Sequence, residues 1–288
     1  MLDHGGDLDT AIARFGGRAE DWIDLSTGIN RQPYPLPPPD PATLHDLPRQ
    51  RDVDACARAA LTAFGAAPET ACLPLAGAQA AIRLVPTLRP PGRAAILGPT
   101  YNEHAAAFAA AGWQVTEAPD LPALRGFDAV VVVNPNNPDG RRWGAGATLA
   151  LREANQLVIV DESFADVAPE ASICPAPLPP GTLVLRSFGK FYGLAGLRLG
   201  FALGAEADIA RLRALAAGRL ALADRTGWRS VGGTALFRLY EAADAAAAQA
   251  RLARRRIWSR TFRYSQRWLR LGLPGPETEW DKVSEALA

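Results

Sequence analysis

The chain has 288 residues, enough for one large core and a smaller second one. Lys and Arg (31) balance Asp and Glu (30) at a formal net charge of +1, which argues against nucleic acid or an anionic membrane as partner. Three scattered cysteines, Cys56, Cys72 and Cys174, make neither a disulfide framework nor a Cys-x-x-Cys metal site, and His4, His45 and His104 form no metal pattern. The N-terminus lacks a basic stretch followed by an apolar run, and nothing approaches the ~18 apolar residues of a membrane span. The expectation is a cytoplasmic protein in a reducing compartment. The late arginines, Arg254 to Arg256, Arg260, Arg263, Arg267 and Arg270, read mainly as a solvated helix face and loop.

Residues 1–50 read as an irregular arm. Gly5-Gly6, Gly16-Gly17 and the prolines from Pro33 to Pro41 break any long element. Having no core, the arm is expected to wrap a larger domain and to pack with a small one. Across 51–217 helix and strand alternate. The predicted helices are Val53 to Phe64, Ala80 to Leu84, one capped by Thr100 with Glu103 and ending at Ala111, and Thr148 to Ala154. The predicted strands are Leu73 to Ala76, Ala94 to Leu97, Gln114 to Glu117, Ala129 to Val133, Leu157 to Val160, Leu183 to Leu185 and Leu199 to Leu203. This alternation predicts an α/β domain around a mostly parallel sheet. Residues 218–288 predict a small α+β domain: strand Phe237 to Tyr240, helix Ala243 to Arg255, strand Ile257 to Arg260, edge strand Trp268 to Leu273 and helix Glu277 to Ala286.

In such sheets ligands sit beyond the carboxyl ends of the strands, and the polar motifs fall there. Pro99-Thr100-Tyr101, Asn134 to Gly140, Asp161 to Phe164 and Ser187 to Lys190 each follow an apolar strand. Lys190, among aromatic and aliphatic neighbours, is placed for partial desolvation, which lowers an amine's pKa and frees it to attack a carbonyl. With the Ser187 hydroxyl and the Arg198 guanidinium close in sequence, it suits an aldehyde cofactor carrying a phosphate, pyridoxal 5'-phosphate (PLP). A surface lysine in a glycine-rich loop is the alternative. Asp161 follows four apolar residues, where a carboxylate is costly unless paired. A pyridinium N–H, a helix cap or a salt bridge would each pair it. Gly77-Ala78-Gln79 opens a helix whose N–H groups can hold a phosphate or simply pack. The Tyr101 ring can stack on a flat cofactor or lie half-buried, and Asn137 can donate to a phenolate oxygen or start a turn.

Taken in order, these residues resemble the fold-type I PLP enzymes of the class I/II aminotransferase group. The resemblance implies that Lys190 forms the Schiff base, Asp161 pairs with the pyridine nitrogen, Asn137 contacts the ring hydroxyl and Tyr101 stacks on the ring. It gives the phosphate to Ala78, Gln79, Ser187 and Arg198, and the substrate α-carboxylate to Arg270. Within the group, His4-Gly5-Gly6, Asp24-Leu25-Ser26 to Asn30 with Gly28, Phe164, and Lys190 to Arg198 resemble the threonine-phosphate decarboxylases of cobalamin biosynthesis. That similarity implies Arg260 with His4 as holders of the substrate phosphate, Gly28, Asn30 and Asn137 as further substrate-binding residues, a small phosphorylated amino-acid substrate, and a homodimer. Histidinol-phosphate aminotransferases are the near alternative; they usually carry tyrosine where this chain has Phe164, and serine or threonine where it has Gly189. A PLP-binding relic without turnover is a further one. Two departures stand out. Leu47-Pro48 replaces the Tyr-Pro of many relatives, and Gly218 to Thr234 is several dozen residues shorter than the family's interdomain segment.

Overall fold

The computed structural model describes residues 5–41, 48–218, 228–234, 237–272 and 277–287. Internal contacts divide the chain into two units, Met1–Arg211 and Leu212–Ala288.

The larger unit is built on strands β1 (Ala71–Leu75), β2 (Arg93–Leu97), β3 (Gln114–Ala118), β4 (Ala129–Val133), β5 (Leu157–Asp161), β6 (Thr182–Ser187) and β7 (Gly200–Gly204). They form one sheet in the order β1-β7-β6-β5-β4-β2-β3. Neighbours from β6 through β3 are parallel, whereas β7 runs antiparallel to both β6 and β1. Every residue of β4 and β5 is buried, as continuous apolar runs require when both faces of a sheet are covered. One face carries Val130, Val132, Val158, Val160 and Val184 against Ala60 and Phe64, which belong to or cap helix α2 (Gln50–Ala63); helix α1 is Leu8–Phe15. Burying each valine contributes roughly 1.5–3 kcal/mol.

This order places the site. Because β6, β5, β4 and β2 are adjacent and parallel, their carboxyl ends lie side by side. Val133 is level with Asp161, and Asp161 with Leu185. Helix α3 (Ala78–Leu84) follows β1, and α4 (Glu103–Ala110) follows β2.

Several local expectations are corrected. Thr100 is not the cap of α4. That helix starts after Asn102, and Thr100 Oγ1 donates instead to Asn136 Oδ1 at 2.6 Å, tying two strand-end loops together. Glu103 accepts from the Gln79 side chain. The helix expected over Thr148 to Ala154 is a short α-helix, α5 (Ala145–Leu149), continued by a 3₁₀ turn, Ala150–Glu153. The described residues of the arm fall in the larger unit, where they meet the lysine loop. Asn30 N donates to Lys190 O at 3.0 Å, and Tyr34 N to Tyr192 O at 2.8 Å.

Helix α6 (Glu206–Gly218) crosses the division between the units. In the smaller unit, β8 (Arg229–Thr234), β9 (Phe237–Glu241), β10 (Arg260–Phe262) and β11 (Ser265–Gly272) form an antiparallel sheet in the order β10-β11-β9-β8. β11 is therefore interior, not an edge, and β10 begins at Arg260 where a strand was expected to end. β8 was not anticipated. Its Gly232-Gly233 reads as a break, and the strand accommodates it with a register shift between Ser230 and Gly232. Asp244 caps α7 (Ala245–Arg254) by accepting from the Ala246 and Ala247 N–H groups. Ala245, Ala248, Leu252 and Leu269 make a small core with Ala286 and Leu287 of α8 (Glu277–Leu287).

Candidate active site

Asp161 ends β5 and is 2% exposed. Its Oδ2 lies 2.8 Å from His104 Nε2, and its Oδ1 accepts from Ser163 N at 2.9 Å and Ser163 Oγ at 2.5 Å. Burial pushes this carboxyl's pKa up, but His104 and Ser163 outweigh burial and hold it below the ordinary aspartate value. The result is an anion at the bottom of a cavity, stabilised by built partners. Sequence reading missed His104. Its signal was its place in α4, one turn past Tyr101, whose ring it meets edge-on at 6.2 Å.

Lys190 stands in the loop after β6. Burial lowers its pKa, the Asp161 charge raises it, and the Arg198 charge lowers it, with a net value below that of a free lysine. Its Nζ lies 5.9 Å from the centre of the Phe164 ring. The arm presses on this loop. A side chain at Gly193 (φ +67°) would come within 2.6 Å of Asn30 O and 2.8 Å of Pro33 Cα.

Tyr101 and Gln79 complete one wall. Tyr101 Oη donates to Gln79 Oε1 at 3.4 Å, while Gln79 Nε2 donates to Glu103. The Gln79 side chain is thus held by protein. Burial, then the Glu103 and Asp161 charges, raise the Tyr101 pKa, so its hydroxyl keeps its proton. Beside this wall the α3 turn meets Arg198, which adopts left-handed backbone angles (φ 54°, ψ 45°) that are uncommon for a side-chain-bearing residue. A Cβ at Gly77 would sit 2.9 Å from Arg198 Nη2, and one at Gly200 would sit 2.3 Å from Ala78 N. Glycine at both positions lets the guanidinium and strand β7 close on the turn. Ser187 Oγ accepts from Gly189 N at 3.3 Å.

The loop after β4 uses its asparagines unequally. Asn134 exchanges hydrogen bonds with Trp143, and Asn136 donates to Pro99 O and Asp139 Oδ1. Those two build the turn, and Asn137 lines the cavity.

Ala78, Gln79, Tyr101, Asn137, Asp161, Ser187, Lys190 and Arg198 all line this cavity of about 350 Å³. The other expected residues lie elsewhere. Gly28 packs beside the Phe164 ring, where an added Cβ would lie 3.1 Å from two ring carbons. Asn30 does not line the cavity: its amide donates to Phe191 O and its Oδ1 accepts from Gln32 N, so its side chain serves the lysine loop. Arg260 and Arg270 belong to the smaller unit, directly opposite each other on β10 and β11, beside Gln249 and Thr261 in an open concavity of about 640 Å³. His4 and Leu47 lie outside the described residues. Among the described residues no cluster of three or more His, Cys, Asp or Glu could hold a metal ion.

The donor set fits PLP. A buried carboxylate held ionised suits a protonated ring nitrogen, a half-buried amine of lowered pKa suits an aldehyde, and an arginine closed over a glycine turn suits a phosphate.

Residues 47–261 match the family model for aminotransferase class I and II. A threonine-phosphate decarboxylase from Sinorhizobium sp is 39% identical over 325 residues, covering 99% of this chain and 97% of the relative. One from Pseudomonas aeruginosa is 38% identical over 328 residues, covering 100% and 97%. A histidinol-phosphate aminotransferase from Mycobacterium bovis is 34% identical over 231 residues, 74% of this chain and 63% of the relative. The two decarboxylase alignments run longer than the 288-residue chain, so those relatives carry several dozen positions with no counterpart here. A mostly parallel sheet with these residues at its carboxyl edge, matched by the family model over most of its length, has one reading: the chain belongs to the class I and II aminotransferase family, PLP-dependent enzymes of fold type I.

Proposed function

We propose that this chain is a PLP-dependent lyase that decarboxylates L-threonine O-3-phosphate to (R)-1-amino-2-propanol O-2-phosphate in cobalamin biosynthesis. The observation that carries this reading is the similarity to threonine-phosphate decarboxylases along essentially the whole chain and 97% of their length. The likeness to the histidinol-phosphate aminotransferase stops at 63% of that relative.

The roles we assign draw on the family and on the residues that line the cavity. Bound PLP supplies a protonated pyridine ring that accepts the electron pair of the broken Cα–carboxylate bond. Asp161 keeps the proton on the ring nitrogen, because its charge is held by His104 and Ser163. Tyr101 would stack on the ring, and Asn137 would donate to its hydroxyl. Ala78, Gln79, Ser187 and Arg198 hold the cofactor phosphate, with Gln79 acting through its backbone N–H since its side chain is engaged. Lys190 Nζ would hold the aldehyde carbon, and it would be the cavity's amine for returning a proton to Cα. By similarity to the decarboxylases, Arg270 would take the substrate carboxylate, and Arg260 with His4 the substrate phosphate. An aminotransferase would instead break the Cα–H bond.

We further assign an arm over 1–50, a PLP domain over 51–217 and a small domain over 218–288. No helix among the described residues is long and apolar enough to cross a membrane, and we place the protein in the cytoplasm. A homodimer is supported by the exposure of Phe15, Ile23, Leu25 and Tyr34 on the arm, at 68, 70, 77 and 58%.

The test is incubation of the PLP-loaded protein with threonine phosphate. Carbon dioxide release at constant total amine is expected. Oxo-acid-dependent amino transfer from histidinol phosphate, without carbon dioxide, would overturn the assignment.

A further inference from the structure

The wall of the cavity that carries Tyr101 is braced by the first turn of α4. Glu103 and His104 open that helix, and both are buried, at 7% and 1% exposure. The two neighbours support different cavity residues. His104 Nε2 lies 2.8 Å from Asp161 Oδ2. Glu103 accepts from Gln79 Nε2, and Gln79 Oε1 in turn accepts from Tyr101 Oη at 3.4 Å. The Tyr101 ring also meets the His104 ring edge to face, with 6.2 Å between centres and 81° between planes. The tyrosine is therefore held at its hydroxyl through Gln79 and along its ring by His104.

The chemistry of the groups sets the direction of these bonds. A side-chain amide has a donor end and an acceptor end, whereas a carboxylate only accepts. Glu103 thus turns the Gln79 NH2 toward α4 and the Gln79 oxygen toward the tyrosine, whose hydroxyl must donate. A partner at 103 able to donate as well would let the amide turn over and reverse both bonds. The anchor matters because Tyr101 stands in the short connection between β2 and α4, only partly buried, where an untethered ring has several staggered rotamers open to it.

We propose that Gln79 and Glu103 are positioning residues, which fix the orientation of the Tyr101 ring at the cavity wall and so the stacking face it offers a cofactor. This rests on the PLP reading above. Gln79, Glu103 and Tyr101 all line the cavity, so the brace is local to the site it serves.

Gln79→Met keeps the bulk and the backbone N–H and removes both polar ends of the side chain. Without PLP, three-bond couplings about χ1 of Tyr101 are expected to read one rotamer in the wild type and an average of rotamers in the variant. The dissociation constant for PLP is expected to rise about 5-fold, the order of one aromatic stacking contact. In the loaded enzyme kcat is expected to fall about 5-fold, with KM for threonine phosphate within about twofold. Glu103→Gln, which adds a donor and keeps an acceptor, should average the Tyr101 rotamer to a smaller degree. In a Tyr101→Phe background the hydroxyl is already gone, so Gln79→Met should add nothing to the loss of PLP affinity. A single Tyr101 rotamer in Gln79→Met, wild-type couplings in Glu103→Gln, an additive loss of PLP affinity in the double variant, or a loss of turnover carried by KM alone would each overturn the proposal. The rotamer arm uses neither cofactor nor substrate, so failure of the wild type to release carbon dioxide from threonine phosphate would count against the assigned reaction and leave the ring result standing.

Discussion

Asp161 and Glu241 both end a β-strand, and both have a side-chain nitrogen of a basic residue within hydrogen-bond distance. Asp161 and His104 side chains are 3% and 2% exposed, whereas the Arg229 and Arg267 partners of Glu241 are 71% and 62% exposed. Both carboxyls have pKa values below the ordinary ones. For Glu241 the main cause is the Arg229 hydrogen bond. For Asp161 the largest influence opposes ionisation, and two polar neighbours overcome it. The first pair works in a medium that magnifies every charge, the second where water screens it. A sealed charge is costly to keep, and this one faces a cavity. That contrast locates chemistry in the larger unit's strand ends.

The largest effect expected on the sealed side is from Lys190→Ala. It should abolish the visible absorbance of lysine-bound PLP and lower carbon dioxide release from threonine phosphate on the order of 10³-fold. A variant that keeps the band would place the cofactor elsewhere.

Next is His104→Ala, which leaves Asp161 Oδ2 buried without its donor. A loss of about 2–4 kcal/mol in urea unfolding is expected, with weaker PLP retention. Acid sharpens the same test. Since the folded Asp161 pKa is depressed, its stabilisation is complete above the unfolded value of about 3.9 and is lost as pH falls through the folded value. The wild type should therefore lose more stability on acidification below about pH 4 than Asp161→Asn does. In His104→Ala the loss should begin at higher pH. Equal acid sensitivity of wild type and Asp161→Asn would show that the carboxylate is not held ionised by the fold.

The smallest effect belongs to the exposed pair. Arg229→Ala should leave the urea midpoint within experimental error, at low and at high salt alike. A clear loss there would collapse the distinction between the two strand ends.

The strand order of the larger unit was not written in any single motif, yet its parts were. Ala129–Val133 and Leu157–Asp161 announce themselves as doubly covered strands because each is an apolar run closed by a polar residue. From those ends Asn137, Asp161, Ser187 and Lys190 could be singled out, and they line one cavity. What escaped notice were residues whose meaning depends on a partner far along the chain. His104 looks like one histidine in an alanine-rich helix until its ring is found 2.8 Å from an aspartate 57 positions away. Thr100 matches a helix-cap pattern, but the helix starts after Asn102 and the Thr100 hydroxyl donates to Asn136 Oδ1 instead. Asn30, expected at the substrate, spends its amide on Phe191 O.

By itself the sequence determined the periodic elements, the alternation that makes a parallel sheet, and the residue types at strand ends. These are local properties, set by side-chain period and by the cost of burying charge. Only the tertiary structure decided that β6, β5, β4 and β2 lie side by side, that β7 runs the other way, and that β11 is flanked on both sides. It also decided which carboxylates became sealed and which stayed wet. Pairing between distant segments carries no short-range signature, because it is selected by packing of the whole core rather than by any neighbour in the chain.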